Sequence, residues 1–185
     1  MNSSNLVILV EGNDDERFFK TLSNLFLNKF FSTNPIIWKY AEEKPEKRRK
    51  FIKSINSMNN YYLYISDIND TPCVTMKREK IKEILHEQFD ENKIFIVKKK
   101  IEGWYLAGLD EKSSKKMKIK NFESTDEVTK QTFYSLIPSK YNKSYLNFKI
   151  EILNNFSLEN AAKKNTSFKY FIEKFEKQMT GLFLT

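Results

Sequence analysis

The sequence predicts an α/β fold, a four-stranded parallel sheet flanked by helices and joined to a helical C-terminal extension. The first reason is order: strand-length apolar runs and helix-period segments alternate through the first hundred residues, as right-handed crossovers between parallel strands require. The second is the opening run, Leu6-Val7-Ile8-Leu9-Val10, which is apolar at every position like a strand buried on both faces. The third is scale. The 185 residues are 40% hydrophobic with 16 Phe, 9 Tyr and 2 Trp, enough for a core and too much for a disordered or fibrous chain.

After the first strand the period lengthens. Phe18, Leu22, Phe26 and Phe30 recur every four residues with Phe19 and Leu25 beside them, so a helix is predicted over 14–30, capped by Asn13 and with Asp14, Asp15 and Glu16 complementing its dipole. Pro35 precedes a short strand, Ile36 to Tyr40. A charged helix over 44–58 follows, with Phe51, Ile52, Ile55 and Met58 as its buried stripe. Tyr61 to Ile65 forms the third strand and runs into Ser66-Asp67-Ile68-Asn69-Asp70. Thr71-Pro72 opens a helix over 75–89 that places Ile81, Leu85 and Phe89 on one side. The fourth strand is 93–98, around Ile94-Phe95-Ile96-Val97. Beyond Ile101 the pattern is helical and less regular: a helix at 103–109, a polar Lys- and Ser-rich stretch, then segments at 126–137, 143–154, 157–163 and 167–177. Ser157 and Ser167 are placed as N-caps, the second leading into Phe168, Phe171, Ile172 and Phe175.

Composition excludes several classes. The longest apolar run, Leu6–Val10, is far short of the ~20 residues that span a bilayer, and its acidic flank, Glu11, Asp14 and Asp15, is unlike a secretory signal, so a cytoplasmic protein without membrane contact is expected. Single residues Cys73 and His86 leave no internal disulfide and no Cys/His zinc site, and any metal must sit on oxygen. A net charge of +8 points to a polyanion, with DNA or RNA as the expected partner. Yet 28 of the 32 basic residues are lysine, and cutting the chain at residue 100 leaves +4 on each side. The runs Lys47-Arg48-Arg49-Lys50, Lys98-Lys99-Lys100 and Lys115-Lys116 read singly as solvated faces.

In an open parallel sheet, ligands bind beyond the carboxyl ends of the strands, where strand order reverses. Strand one ends in Glu11-Gly12, strand three in Asp67 with Asn69 and Asp70, and Glu102 follows strand four. With the order two, one, three, four, Glu11 and Asp67 face each other across the switch point, and Glu102 joins them at the same rim. Crowded carboxylates raise one another's pKa or bind a cation, and an all-oxygen set suits Mg²⁺ or Mn²⁺. Taken alone, Asp70 reads as a solvated acid, Asp15 as a helix-dipole residue, His86 as exposed, Cys73 as incidental, and Trp104 and Tyr105 as core.

Three segments then resemble the Toprim domain: Val10-Glu11-Gly12-Asn13-Asp14-Asp15 after the first strand, Asp67-Ile68-Asn69-Asp70 after the third, and Ile101-Glu102-Gly103-Trp104-Tyr105-Leu106-Ala107 after the fourth. Ser157-Leu158-Glu159 and Thr166-Ser167-Phe168-Lys169-Tyr170-Phe171 extend the similarity to stand-alone Toprim-like proteins of the overcoming-lysogenization-defect nuclease type. The resemblance implies a Toprim/Rossmann-like sheet ordered 2-1-3-4, with residues 1–110 as catalytic core and 111–185 as a helical extension packed on it. It implies a Mg²⁺- or Mn²⁺-dependent nuclease, with Glu11, Asp67 and Glu102 catalytic and Glu11, Asp15, Asp67, Asn69, Asp70 and Glu102 as metal ligands. Lys99, Lys100, Lys149 and Lys169 are candidates to steady the leaving oxygen. The chain departs from the Asp-x-Asp motif at Asn69, which removes one charge from a second metal position. The competing expectation is a non-catalytic nucleic-acid-binding or regulatory subunit working with a partner ATPase; a third, which the resemblance implies, is a subunit of a phage-defence system, the setting also expected of the nuclease.

Overall fold

The computed structural model describes residues 5–141 and 144–183. The chain divides into two compact units, Met1–Ile96 and Val97–Thr185. The helix expected at 103–109 therefore falls in the second unit, whereas the sequence reading carries the core to residue 110.

The first unit holds the sheet, whose order is β2-β1-β3-β4 and whose strands are β1 (Leu6–Val10), β2 (Ile36–Lys39), β3 (Tyr61–Asp67) and β4 (Ile94–Val97). β1 pairs in parallel with β2 on one side and with β3 on the other. β1, β4 and all of β3 but its first residue are buried, so the two edge strands differ: β4 is covered, while β2 leaves Ile36 54% exposed. Alternation sorts the faces: Val7, Leu9, Tyr62, Tyr64, Ile94 and Ile96 pack with Ile52 and Ile55 of α2 (Pro45–Ser57) and with Ile81 and Leu85 of α3 (Val74–Leu85). α1 (Asn13–Leu25) buries Phe18, Phe19 and Leu22, each worth about 1.5–3 kcal/mol on removal from water.

The helix boundaries correct several expectations. Gly12, not Asn13, is the N-cap of α1, because the Asp15 carboxylate reaches back to accept the Gly12 N–H at 3.0 Å and draws Asn13 into the first turn. α1 stops at Leu25 rather than 30, since Phe26 leaves helical geometry at φ −143° and a 3-10 turn, Leu27–Lys29, follows. Met58 is 59% exposed instead of completing the stripe of α2, which ends at Ser57. α3 likewise ends before Phe89, where His86 turns the chain at φ 50°.

The second unit is helical: α4 (Ile101–Ala107), α5 (Glu111–Met117), α6 (Lys130–Ser135), α7 (Tyr145–Asn154), α8 (Leu158–Lys164) and α9 (Thr166–Phe183). Residue 143, the first of the segment expected at 143–154, lies outside the described residues. Trp104 is fully buried in edge-to-face contact with Phe168 at 5.1 Å, and Tyr105 is buried against Phe133 at 6.2 Å, so both aromatics are core. Ser157 caps α8 by accepting the Asn160 N–H, but Ser167 does not cap α9. Asn165 does, accepting the Phe168 N–H at 3.0 Å and the Ser167 hydroxyl at 2.8 Å. Ser167 lies inside the helix, where its oxygen receives the Trp104 indole N–H at 2.8 Å and the Lys98 N–H at 3.1 Å. Among the described residues no helix is long and apolar enough to cross a membrane.

Candidate functional site

Parallel pairing of β1 with β3 sets a constant offset of 55 residues, from Leu6 opposite Tyr61 to Leu9 opposite Tyr64. Continued two residues, that register brings Glu11 abreast of Ser66 at the carboxyl ends of both strands. The contacts follow: Glu11 Oε1 accepts the Ser66 hydroxyl at 2.8 Å and the Asp67 backbone N–H at 3.0 Å. A parallel ladder thus places two acids from distant segments at one point, Glu11 half-buried and Asp67 6% exposed. The Asn69 amide lies 3.5 Å from each Glu11 carboxylate oxygen, at the long limit of a hydrogen bond.

Asn69 sits at φ 51° in the turn closed by the Thr71 N–H on the Ile68 carbonyl at 3.2 Å. Asn tolerates this left-handed conformation better than most side chains, which gives its place in the motif a backbone reason besides charge. Asp70, the next residue, is exposed. Asp15 is buried and is engaged in capping α1 through Gly12. Behind the rim, Tyr40 donates its hydroxyl to the Ile65 carbonyl at 2.8 Å and stacks on Tyr64 at 4.4 Å, under the Arg48 guanidinium at 4.9 Å. Burial, reinforced by Tyr64 and by the Glu11 charge, pushes the Tyr40 phenol well above its ordinary range, so it stays a neutral donor that fixes the end of β3.

Glu102 belongs to the second unit. It is 2% exposed in the first turn of α4, with the Lys149 ammonium of α7 at 3.9 Å, and Lys149 in turn lies over the rings of Phe133 and Tyr134 at 5.4 and 5.3 Å. Gly103 beside it is required by space, because a Cβ there would sit 2.9 Å from the Thr125 carbonyl. Among the described residues no three Asp, Glu, His or Cys side chains are grouped to hold a metal ion. Ser66, Tyr40 and Asn165 escape sequence reasoning. Only Ser66 has a signal, its place immediately before Asp67 on the strand that pairs with β1.

A parallel sheet ordered 2-1-3-4, with acids at the carboxyl ends of its two central strands, makes this an α/β protein with its polar rim at the topological switch point. No protein-family model matches the chain, and no curated protein matches it. Solved structures do. The C-terminal region of the Xanthomonas campestris pv. campestris OLD protein, phased with mercury, is 14% identical with a TM-score of 0.52, over 97% of this chain and 98% of that one. The platinum-phased structure of the same region is 13% identical with a TM-score of 0.51, over 96% and 94%. The likeness is one of fold.

Proposed function

We propose that this protein is a Toprim-type nuclease, dependent on Mg²⁺ or Mn²⁺, that hydrolyses phosphodiester bonds of DNA or RNA. One observation carries the reading: the Asp67 backbone N–H donates to Glu11 Oε1 at 3.0 Å, which fixes the Glu11 carboxylate on the β3 position that bears the second acid, at the switch point. The donor set fits a hard cation, because Mg²⁺ is commonly held by one or two carboxylates, the rest of its shell being water and substrate phosphate. A divalent ion there supplies neutralisation of developing phosphate charge and a more acidic water. Glu11, with Oε1 anchored to β3, holds Oε2 3.5 Å from the Asn69 amide, and Asp67 is the second donor. Asn69 offers a neutral oxygen, and Asp70 stands exposed beside it. The resemblance of the motifs to Toprim nucleases and the shared fold with the overcoming-lysogenization-defect protein support the assignment.

The test is a Mg²⁺ and Mn²⁺ panel against plasmid, single-stranded DNA, transfer RNA and ribosomal RNA. Glu11→Ala or Asp67→Ala lowers hydrolysis on the order of 10³-fold, about 4 kcal/mol of transition-state stabilisation, and EDTA abolishes it. Hydrolysis indifferent to both substitutions overturns the proposal. Asn69, at φ 51° where the motif has its second acid, favours one alternative, a non-catalytic nucleic-acid-binding subunit working with an ATPase. Intact substrate with a salt-sensitive gel shift supports that alternative.

A further inference from the structure

The boundary between the units redistributes the charge. Residues 1–96 hold 15 basic and 14 acidic side chains, a net +1, whereas residues 97–185 hold 17 lysines and 10 acids, a net +7. The second unit therefore carries nearly all of the +8.

Acids within it answer many of its lysines. Lys98 and Lys99 reach Glu127 at 3.5 and 3.3 Å, Lys140 reaches Glu151 at 3.4 Å, Lys163 reaches Glu159 at 2.6 Å and Lys169 reaches Glu173 at 3.8 Å. The stretch 112–120 is different. It contains Lys112, Lys115, Lys116, Lys118 and Lys120 and no acid, and all five are exposed. Of these, among the described residues, Lys115 alone forms a close ion pair, with Glu111 at 2.5 Å, while Lys112 and Lys116 act on Asp110 and Glu151 only at longer range.

The backbone beneath is ordered. Asp110 caps α5 by accepting the Ser113 N–H at 2.6 Å, and Ser114 and Met117 anchor it at 2% and 0% exposure. Lys118 closes it in the left-handed region at φ 60°, with the Ile119 N–H on the Ser114 carbonyl at 3.0 Å. Concentrated like charge on a fixed scaffold is self-repelling, and an external polyanion offsets it. The polyanion is read by charge, since lysine presents a point ammonium rather than the guanidinium fork that reads base edges. A lipid surface fits less well: the strip exposes no apolar side chain for insertion, Met117 being buried and Ile119 half-buried.

We propose that the lysine strip Lys112–Lys120 of the second unit is a contact surface for the phosphate backbone of nucleic acid, independent of base sequence. The inference rests on the nucleic-acid reading above and adds the surface that holds the substrate. Its test is binding of the full chain to labelled strands of about 20 nucleotides, single and duplex, in EDTA, over salt from about 50 to 200 mM. Replacing Lys112, Lys116, Lys118 and Lys120 by Gln weakens binding at least about tenfold and flattens the log Kd against log salt slope by about 3, while the four Arg replacements keep both. A control replaces four glutamate-paired lysines, Lys20, Lys47, Lys50 and Lys163, by Gln, with the same loss of charge and little change of slope. Unchanged slope in the strip variant overturns the proposal, as does an equal loss in the control. A strip variant that loses binding only to anionic phospholipid vesicles also overturns it. Because the assay contains no metal, its result is separable from the nuclease reading. Hydrolysis abolished by Glu11→Ala beside an unaltered slope leaves the nuclease and removes the strip, and the converse leaves the strip alone.

Discussion

The two units each contain a Glu-Gly pair, Glu11-Gly12 directly after β1 and Glu102-Gly103 in the first turn of α4, and they use it in opposite ways. Glu11 stands at the rim, its carboxylate oriented by a hydroxyl and an amide of the neighbouring strand. Glu102 is enclosed, with an ammonium and two aromatic rings around that ammonium as its setting. The glycines differ as well. Gly12 has extended backbone and a Cβ would meet nothing nearer than Asp15 Oδ2 at 3.8 Å, whereas Gly103 admits no Cβ without moving the Thr125 backbone. The same dipeptide is thus a turn at the polar rim in one place and a packed, charge-compensated helix start in the other. What differs is the solvent around it.

The contrast breaks first at Lys149. Its replacement by Met leaves the Glu102 charge buried without its ammonium and costs about 3–5 kcal/mol in chemical denaturation, and Glu102→Gln in the same chain recovers most of the loss. A single substitution that leaves stability unchanged would show the pair to be solvated. Next come the glycines. Gly103→Ala forces the Thr125 carbonyl aside and costs about 1–3 kcal/mol, against less than about 1 kcal/mol for Gly12→Ala, compared by thermal unfolding. Asn165→Ala removes the cap of α9 and the bond to the Thr125 hydroxyl, a loss of about 1–2 kcal/mol accompanied by faster amide exchange at Phe168. The smallest effect on stability is Ser66→Ala, within about 1 kcal/mol. Its signature lies elsewhere: half-saturating Mg²⁺ for hydrolysis rises about tenfold while the maximal rate changes little, because the Glu11 carboxylate loses the hydroxyl that orients it.

Much of the first unit was legible because its signals are local. Five consecutive apolar residues announce β1, the four-residue spacing of Phe18 and Leu22 announces α1, and strict alternation of strand and helix announces a parallel sheet. α5 lies in the polar Lys- and Ser-rich stretch and gives no helical signal, because Met117 is its single apolar residue and periodicity needs at least two. Sequence does not separate Ser167 from Asn165 as the cap of α9, because Ser and Asn both cap helices well and only the bond to the Phe168 N–H distinguishes them. Asn69 read as a lost charge, and the structure adds a left-handed turn that sequence pattern alone does not reveal.

The sequence by itself determined the four strands, the helices between them, their parallel order and the acids at the strand ends, because propensity, periodicity and crossover handedness act over short stretches of chain. Tertiary structure alone decided that Glu11 meets Ser66 and Asp67, that Glu102 lies beside Lys149, and that the unit boundary at residue 96 gathers the excess charge into one half. Those facts depend on register and burial. Both are set by packing between residues tens of positions apart, where neighbouring side chains carry no information about the partner.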